Sequence, residues 1–337
     1  MRRHTPRLFE SLETRCCLTV AVAVDHGDLI VSGTADGAVA IKAVDADTYE
    51  VSDGGVVVAT VDAVSDDIRV TLTDSATGND DVSIDLAGQT IDDVTVKLDD
   101  GDNRLSIAGG TIAGHLKVKG GEGDDSVTLA ADLVISRNVL LQLGDGDNEV
   151  EIAGDISGNL LVFGGIDNDT LTILAEAVVA RSVNANLGDG DNSLSLAGEV
   201  TGNLLYRGGD GNDDVSIAAD ATVGGTVKIR LGAGDNTVTH DGAIAGDLKV
   251  TSANEDDSVM IADTATVSGE TELELGEEAE HGHGGNGGGH CGPATTGTTS
   301  STTGSSGTTT SSAAQAAAFR GGVLASVQAL LRGGRRR

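Results

Sequence analysis

Carboxylates, side-chain amides and glycines recur together in short turns along the middle of the chain. They read GGEGDD (120–125), LGDGDN (143–148), GGIDND (164–169), LGDGDN (187–192), GGDGND (208–213) and LGAGDN (231–236). The chemistry open to them is the attraction of cations. With 53 Asp and Glu against 21 Lys and Arg, and a formal net charge of −32, cations are the expected partners of the body. Nonspecific nucleic-acid binding is not expected, because a polyanion would be repelled. The same residue types are also what any tight turn between strands demands, so the turns alone leave both roles open. A second donor set, His281, His283, His290 and Cys291, suits Zn²⁺ or Cu²⁺ by ligand type. Its Gly-rich setting offers no preorganisation and reads as a solvated linker.

The turns belong to a phrase of about 22 residues that recurs nine times between 74 and 275, as in GDGNDDVSIAADATVGGTVKIR (209–230). A repeat this short cannot bury its own apolar face, so copies must stack and share a core. Each copy carries a first apolar pair (Val127/Leu129, Val150/Ile152, Leu171/Ile173) and, roughly 11 residues later, a second (Leu116/Val118, Leu160/Val162, Leu204/Tyr206). Alternate residues of a strand face one side, so both pairs point inward, with single residues such as Ile112, Ile156, Val200 and Ile244 on a short third face. The fold class expected is all-β: a single-stranded parallel β-helix, or β-solenoid, with about 22 residues per coil. Nine coils at about 4.8 Å each give a rod on the order of 43 Å.

At the last turn position the residues alternate strictly: Asp80, Asn103, Asp125, Asn148, Asp169, Asn192, Asp213, Asn236, Asp257. Stacked in one column, a neutral Asn between carboxylates relieves a repulsion of roughly 1 kcal/mol in water. A 44-residue coil would instead separate Asp and Asn into two columns. The 22-residue coil is preferred because two or three strands with short corners close at that length, leaving 44 as the duplication unit.

Residues 25–73 alternate apolar and polar in short runs but miss the 22-residue register. They are expected to form a β-rich cap or the first irregular coils, protecting an open solenoid end. Residues 276–312 are Gly-, Ser- and Thr-rich and read as a disordered linker. Residues 313–337 return to helix spacing with a terminal Arg cluster, predicting a short amphipathic basic helix suited to surface association. No apolar run reaches spanning length. Three cysteines cannot make a disulfide framework.

Two resemblances extend this reading. The segment RRHTPRLFESLETRCCLTV (2–20) resembles the LEPR-XLL type N-terminal sorting motif of secreted planctomycete proteins through its basic lead, Phe9, Leu12, Glu13 and Arg15. It departs at Thr14, often Pro there, and at Cys16-Cys17. The resemblance implies that residues 1–24 are an export segment and that the protein is secreted or at the cell surface. GGEGDDSVT (120–128) and GGDGNDDVS (208–216), with GGIDNDTLT (164–172) departing at Asp167, resemble the G-G-x-G-x-D-x-U-x calcium-binding repeats of RTX proteins. That resemblance implies Ca²⁺ as cofactor, held by Asp125, Asp169 and Asp213 with carbonyls near Gly120, Gly164 and Gly208. Asp124 is the neighbouring carboxylate. RTX repeats run in tandem, whereas these lie about 44 residues apart. The intervening turns would supply the other half of each cage through Asp102, Asp147, Asp191 and Asp235.

The function expected is that of an exported acidic repeat protein with a structural or adhesive role at the cell surface or in the extracellular matrix. Its partners would be calcium and a cell-surface polymer or another matrix protein. An enzyme is not expected. The alternative, a carbohydrate-active β-helical lyase or hydrolase, needs cleft-forming loops and sugar-stacking aromatics. The repeats are nearly insertion-free, Trp is absent, and Tyr206 and Phe163 are the only rings in the array. Flat-surface recognition would need a repeated Thr-x-Thr column, and TLT (170–172) and TVT (237–239) stand isolated.

Overall fold

The computed structural model describes residues 20–73 and 78–276. The described residues contain strands and turns only, and no helix among them is long and apolar enough to cross a membrane. Most of the expected export segment, the His281–Cys291 cluster, all but the first residue of the expected linker and the whole expected amphipathic tail lie outside the described residues.

The array is a parallel β-solenoid. Leu116 pairs with Val139, Val139 with Leu160, Leu160 with Val183 and Val183 with Leu204, so steps of 23 and 21 residues alternate. One coil therefore averages 22 residues, and the 44-residue period belongs to the sequence alone. Each coil crosses three faces. The first is a 12-stranded sheet, parallel apart from its first pair. The second consists of strands such as Ser126–Leu129, Glu149–Ile152 and Thr170–Ile173. The third is built from strands of two or three residues, such as Leu133–Ile135 and Asp155–Ile156. In the first two coils Asp81–Ile91 and Arg104–Ile112 run through from the second face to the third.

The period-2 pattern dictates the core. Val127 and Leu129, then Ile135, then Val139 and Leu141 turn inward from the three faces and are at most 1% exposed. Truncating such a residue to Ala removes about 2–5 kcal/mol. The predicted third-face residues Ile112, Ile156, Val200 and Ile244 are likewise buried.

The N-terminal part departs from the regular coil. β1 (Ala21–Asp25) and β2 (Asp28–Gly33) form an antiparallel hairpin at the edge of the 12-stranded sheet. Residues 21–24, read from sequence as the end of the export segment, thus belong to a strand, consistent with their Ala-Val alternation. β3 (Val39–Ala43), β4 (Tyr49–Asp53) and β5 (Val56–Val61) form an antiparallel meander. β6 (Ile68–Leu72) then pairs in parallel with β2, and β3 with Asp81–Ile91. β2 and β3 thus continue two faces of the solenoid. The β4–β5 insertion between β3 and β6 breaks the 22-residue register.

Candidate functional site

The acidic turns form the corner between the 12-stranded sheet and the second face, and the chain there is held at two depths. The inner depth is the alternating Asp/Asn column, whose described members are nine-tenths buried or more. Each member's backbone N–H donates to the side chain one coil later. Asn103 N reaches Asp125 Oδ1 at 3.2 Å, Asp125 N reaches Asn148 Oδ1 at 3.0 Å, and Asn148 N reaches Asp169 Oδ1 at 3.1 Å. The ladder continues from Asp169 N to Asn192 at 2.8 Å and from Asn192 N to Asp213 at 3.2 Å.

The amides do more than dilute charge. Asn148 Nδ2 donates to Asp169 Oδ1 at 2.8 Å and to the carbonyls of Gly144 and Gly146, each at 3.0 Å. It closes its own turn and ties it to the next coil. The Asp members close their turns less uniformly: Asp125 Oδ2 accepts from Gly121 N at 3.4 Å and Asp257 Oδ2 from the Ser252 hydroxyl. Asp169 Oδ2 and Asp213 Oδ2 find no hydrogen-bond partner, and any side chain at Gly164 would collide with Asp169 Oδ2. Burial pushes the carboxyls of Asp125, Asp169 and Asp213 up to about 6, against the opposing pull of their Asn and backbone donors. Tyr206, in the strand Leu204–Gly208, is buried near Asp213 of this column. Its hydroxyl approaches Asp213 without meeting hydrogen-bond geometry, and burial pushes its phenol up.

The outer depth lies one residue earlier and faces solvent. Here the ladder runs the other way, from each backbone N–H to the side chain one coil before. Asp124 N donates to Asp102 Oδ1 at 3.1 Å, Asp147 N to Asp124 Oδ1 at 2.8 Å, and Asn168 N to Asp147 Oδ1 at 2.8 Å. Asp191 N, Asn212 N and Asp235 N continue it at 2.8, 2.7 and 2.8 Å. Asp102, Asp124, Asp147, Asp191 and Asp235 are all exposed. Oδ1 of Asp102, Asp124, Asp147 and Asp191 accepts from the next coil, and Asp102 Oδ2 also accepts from Asn79 Nδ2 at 3.5 Å.

The residues predicted as ligands are therefore divided. Asp125, Asp169 and Asp213 are turned inward beside Gly120, Gly164 and Gly208, with a backbone N–H already on each Oδ1. Asp124, Asp147, Asp191 and Asp235 stand outside. The glycine-type backbone this corner needs is visible at Gly146 (φ +120°), and Asp167 holds the equivalent place in its coil at φ +82°.

A second polar ladder occupies the corner before the 12-stranded sheet, and sequence reasoning missed it. Asp93 N donates to Asp67, His115 N to Asp93, Asn159 N to Asn138, Ser182 N to Asn159, Asn203 N to Ser182 and Thr226 N to Asn203. Its signal was a polar residue directly before each second apolar pair, obscured because the residue type changes from coil to coil. Near its start, Asp28, Asp66 and Asp67 lie close together, with Arg69 2.9 Å from Asp28 and 2.7 Å from Asp67.

A depression of about 210 Å³ on the third face is lined by Glu199, Thr201, Thr222, Gly224 and Ala243, among others. Glu199 is the sole ionisable group in its lining. One buried histidine interrupts the core: His240 occupies the place of Ile217 and Ile261 in the neighbouring coils. Neither ring nitrogen has a partner, and burial lowers its pKa.

No protein-family model matches this sequence, and no curated relative does. Among solved structures, it is similar to a hyperactive, Ca²⁺-dependent, β-helical antifreeze protein from an Antarctic bacterium, at 21% identity and a TM-score of 0.28. The match covers 63% of this chain and 65% of that one, so it spans less than two thirds of that protein.

Proposed function

We propose that the protein is an exported structural or adhesive rod, in which the exposed carboxylate column takes up calcium. The observation that carries the reading is the pair of opposed ladders at the acidic corner. Backbone donors there are satisfied coil after coil by side chains, an arrangement that stiffens the stack of coils. The burial of the inner carboxylates in a repeating column supports a structural role.

The fit to calcium differs between the two depths. Oxygen ligands converging around a hard cation are required. Asp169 Oδ2 and Asp213 Oδ2 are buried against glycine, so the inner set does not fit. The outer set fits diffuse, low-affinity uptake. Asp102, Asp124 and Asp147 stand on consecutive coils about 4.8 Å apart, and a divalent cation would relieve their mutual repulsion. Affinity is expected in the roughly 0.1–1 mM range of extracellular modules. Calorimetric titration of the full chain with Ca²⁺, with Mg²⁺ as control, tests this. Saturable Ca²⁺ uptake that disappears in Asp124→Asn/Asp147→Asn/Asp191→Asn supports the reading, and absence of heat or an unaltered isotherm in the variant refutes it.

A further inference from the structure

We infer that the outward face of the 12-stranded sheet binds an extended acidic glycan. This rests on the structural or adhesive reading above and names the polymer and the face that such a role would use. The pairing registers fix which residues share that face. Outward positions on successive strands are Thr95/Lys97, Lys117/Lys119, Leu140/Gln142, Leu161/Phe163, Asn184/Asn186, Leu205/Arg207, Lys228/Arg230 and Lys249/Thr251.

Basic residues are concentrated here although the chain carries a net charge of −32. Lys97, Lys117 and Lys119 form one cluster, and Arg207, Lys228 and Arg230 form another. From Val94–Lys97 to Leu248–Ser252 no outward strand position on this face carries a carboxylate; acidic residues stand only at its two ends, Asp28 and Asp67 beside Arg69 and Glu272 and Glu274 beside Lys249. By contrast, the second face carries Glu149, Glu151 and Asp214 outward, with Arg104 as its one basic residue among the regular coils. Cations gathered on one face of an acidic body create a local positive potential along a line parallel to the rod axis.

The strip between the clusters indicates the partner. Phe163 is half-buried with Leu161 beside it, and Asn184, Asn186 and Gln142 add neutral amides. A sugar chain offers C–H faces to a ring, hydroxyls to amides, and carboxylates or sulfates to Lys and Arg. A second copy of this chain would bring a corner of carboxylates and glycines, which matches the cations but leaves the ring and amides without counterparts. A lipid surface would need a continuous apolar patch, which the amides interrupt. The face is flat, so an elongated polymer fits it better than a small ligand.

The test uses the full chain in EDTA, so that calcium bridging through the acidic corner cannot contribute. Polygalacturonate is the probe, and its fully methyl-esterified form is the uncharged control. Binding is read by affinity electrophoresis and sedimentation. The expected result is retention by polygalacturonate only, weakened at least tenfold in Lys117→Glu/Lys119→Glu and in Lys228→Glu/Arg230→Glu. The milder Lys117→Gln/Lys119→Gln, checked for an unchanged circular dichroism spectrum, should weaken it in the same direction. No retention, equal retention by the ester, or retention unaffected by the substitutions overturns the inference. Self-association abolished by the same substitutions, without glycan binding, also overturns it and assigns the face to a second copy. A chain that keeps its β signal and calcium response but ignores polygalacturonate defeats this inference alone. Loss of the calcium response with glycan binding intact defeats the calcium reading alone.

Discussion

The buried carboxylates of the inner column make the solenoid's stability depend on pH in an unusual direction. Asp125, Asp169 and Asp213 have folded pKa values raised from 3.8 to about 6 by burial. A raised folded value means that the folded state holds its proton more tightly than the unfolded chain. The contribution is therefore fully present below pH 3.8 and is lost as pH rises through about 6. Once ionised, each group weighs up to about 3 kcal/mol against the fold. Asp169→Asn removes that titration with almost no change of shape. Its new amide can turn to the carbonyls four and two residues back, as Asn148 does to Gly144 and Gly146. The expected outcome is a gain of about 1–3 kcal/mol at pH 7.5 and little change at pH 4. Urea unfolding of the full chain, followed by far-ultraviolet circular dichroism at both pH values, measures it. Acidification also relieves general repulsion across a body this acidic, so the decisive quantity is the difference in pH dependence between wild type and variant. Identical pH profiles, or a variant less stable at pH 7.5, would refute the reasoning.

Three further outcomes follow from single residues. His240 has a folded pKa below its ordinary 6.5, so its contribution is present above pH 6.5 and is lost as pH falls. His240→Leu, which also removes two unpartnered nitrogens, should stabilise by about 1–3 kcal/mol, more at pH 5 than at pH 8 in the same urea assay. Asp167→Gly, at φ +82°, should raise stability by about 1 kcal/mol, read as an upward shift in thermal midpoint. Leu171→Ala, fully buried between coils, should cost about 2–5 kcal/mol by denaturant titration.

Much of the fold was legible because the solenoid writes one rule many times. Pairs such as Val127/Leu129 and Leu116/Val118 recur as inward pairs from coil to coil, and the Asp/Asn alternation marks a true column. What period 2 could not decide was the direction of side chains in the corner, where the backbone leaves the strand. In GGEGDD the adjacent Asp124 and Asp125 look equivalent, yet one faces solvent and the other the core. The second corner ladder was hidden for a different reason. Accepting one backbone N–H can be done by Asp, Asn or Ser, so the function persists while the letter changes from Asp93 to Asn138 to Ser182. The basic face was readable in principle from alternate positions of strands such as LKVK (116–119) and VKIR (227–230). Summing charge over the whole chain concealed it. The meander β3–β5 follows no repeat, and its antiparallel pairing left no spacing signal in the sequence.

The most direct test of the structural, calcium-responsive rod is the thermal melt of the full chain in EDTA, in several millimolar Ca²⁺ and in Mg²⁺. It should be repeated on Asp124→Asn/Asp147→Asn/Asp191→Asn, whose amides preserve the ladder as Asn168 and Asn212 already do. A cooperative β melt raised by Ca²⁺ more than by Mg²⁺ in wild type, with that increment absent from the variant, is the predicted result. Identical wild-type melts in EDTA and Ca²⁺, or an increment that survives the substitutions, would contradict the assignment of calcium to the outer column.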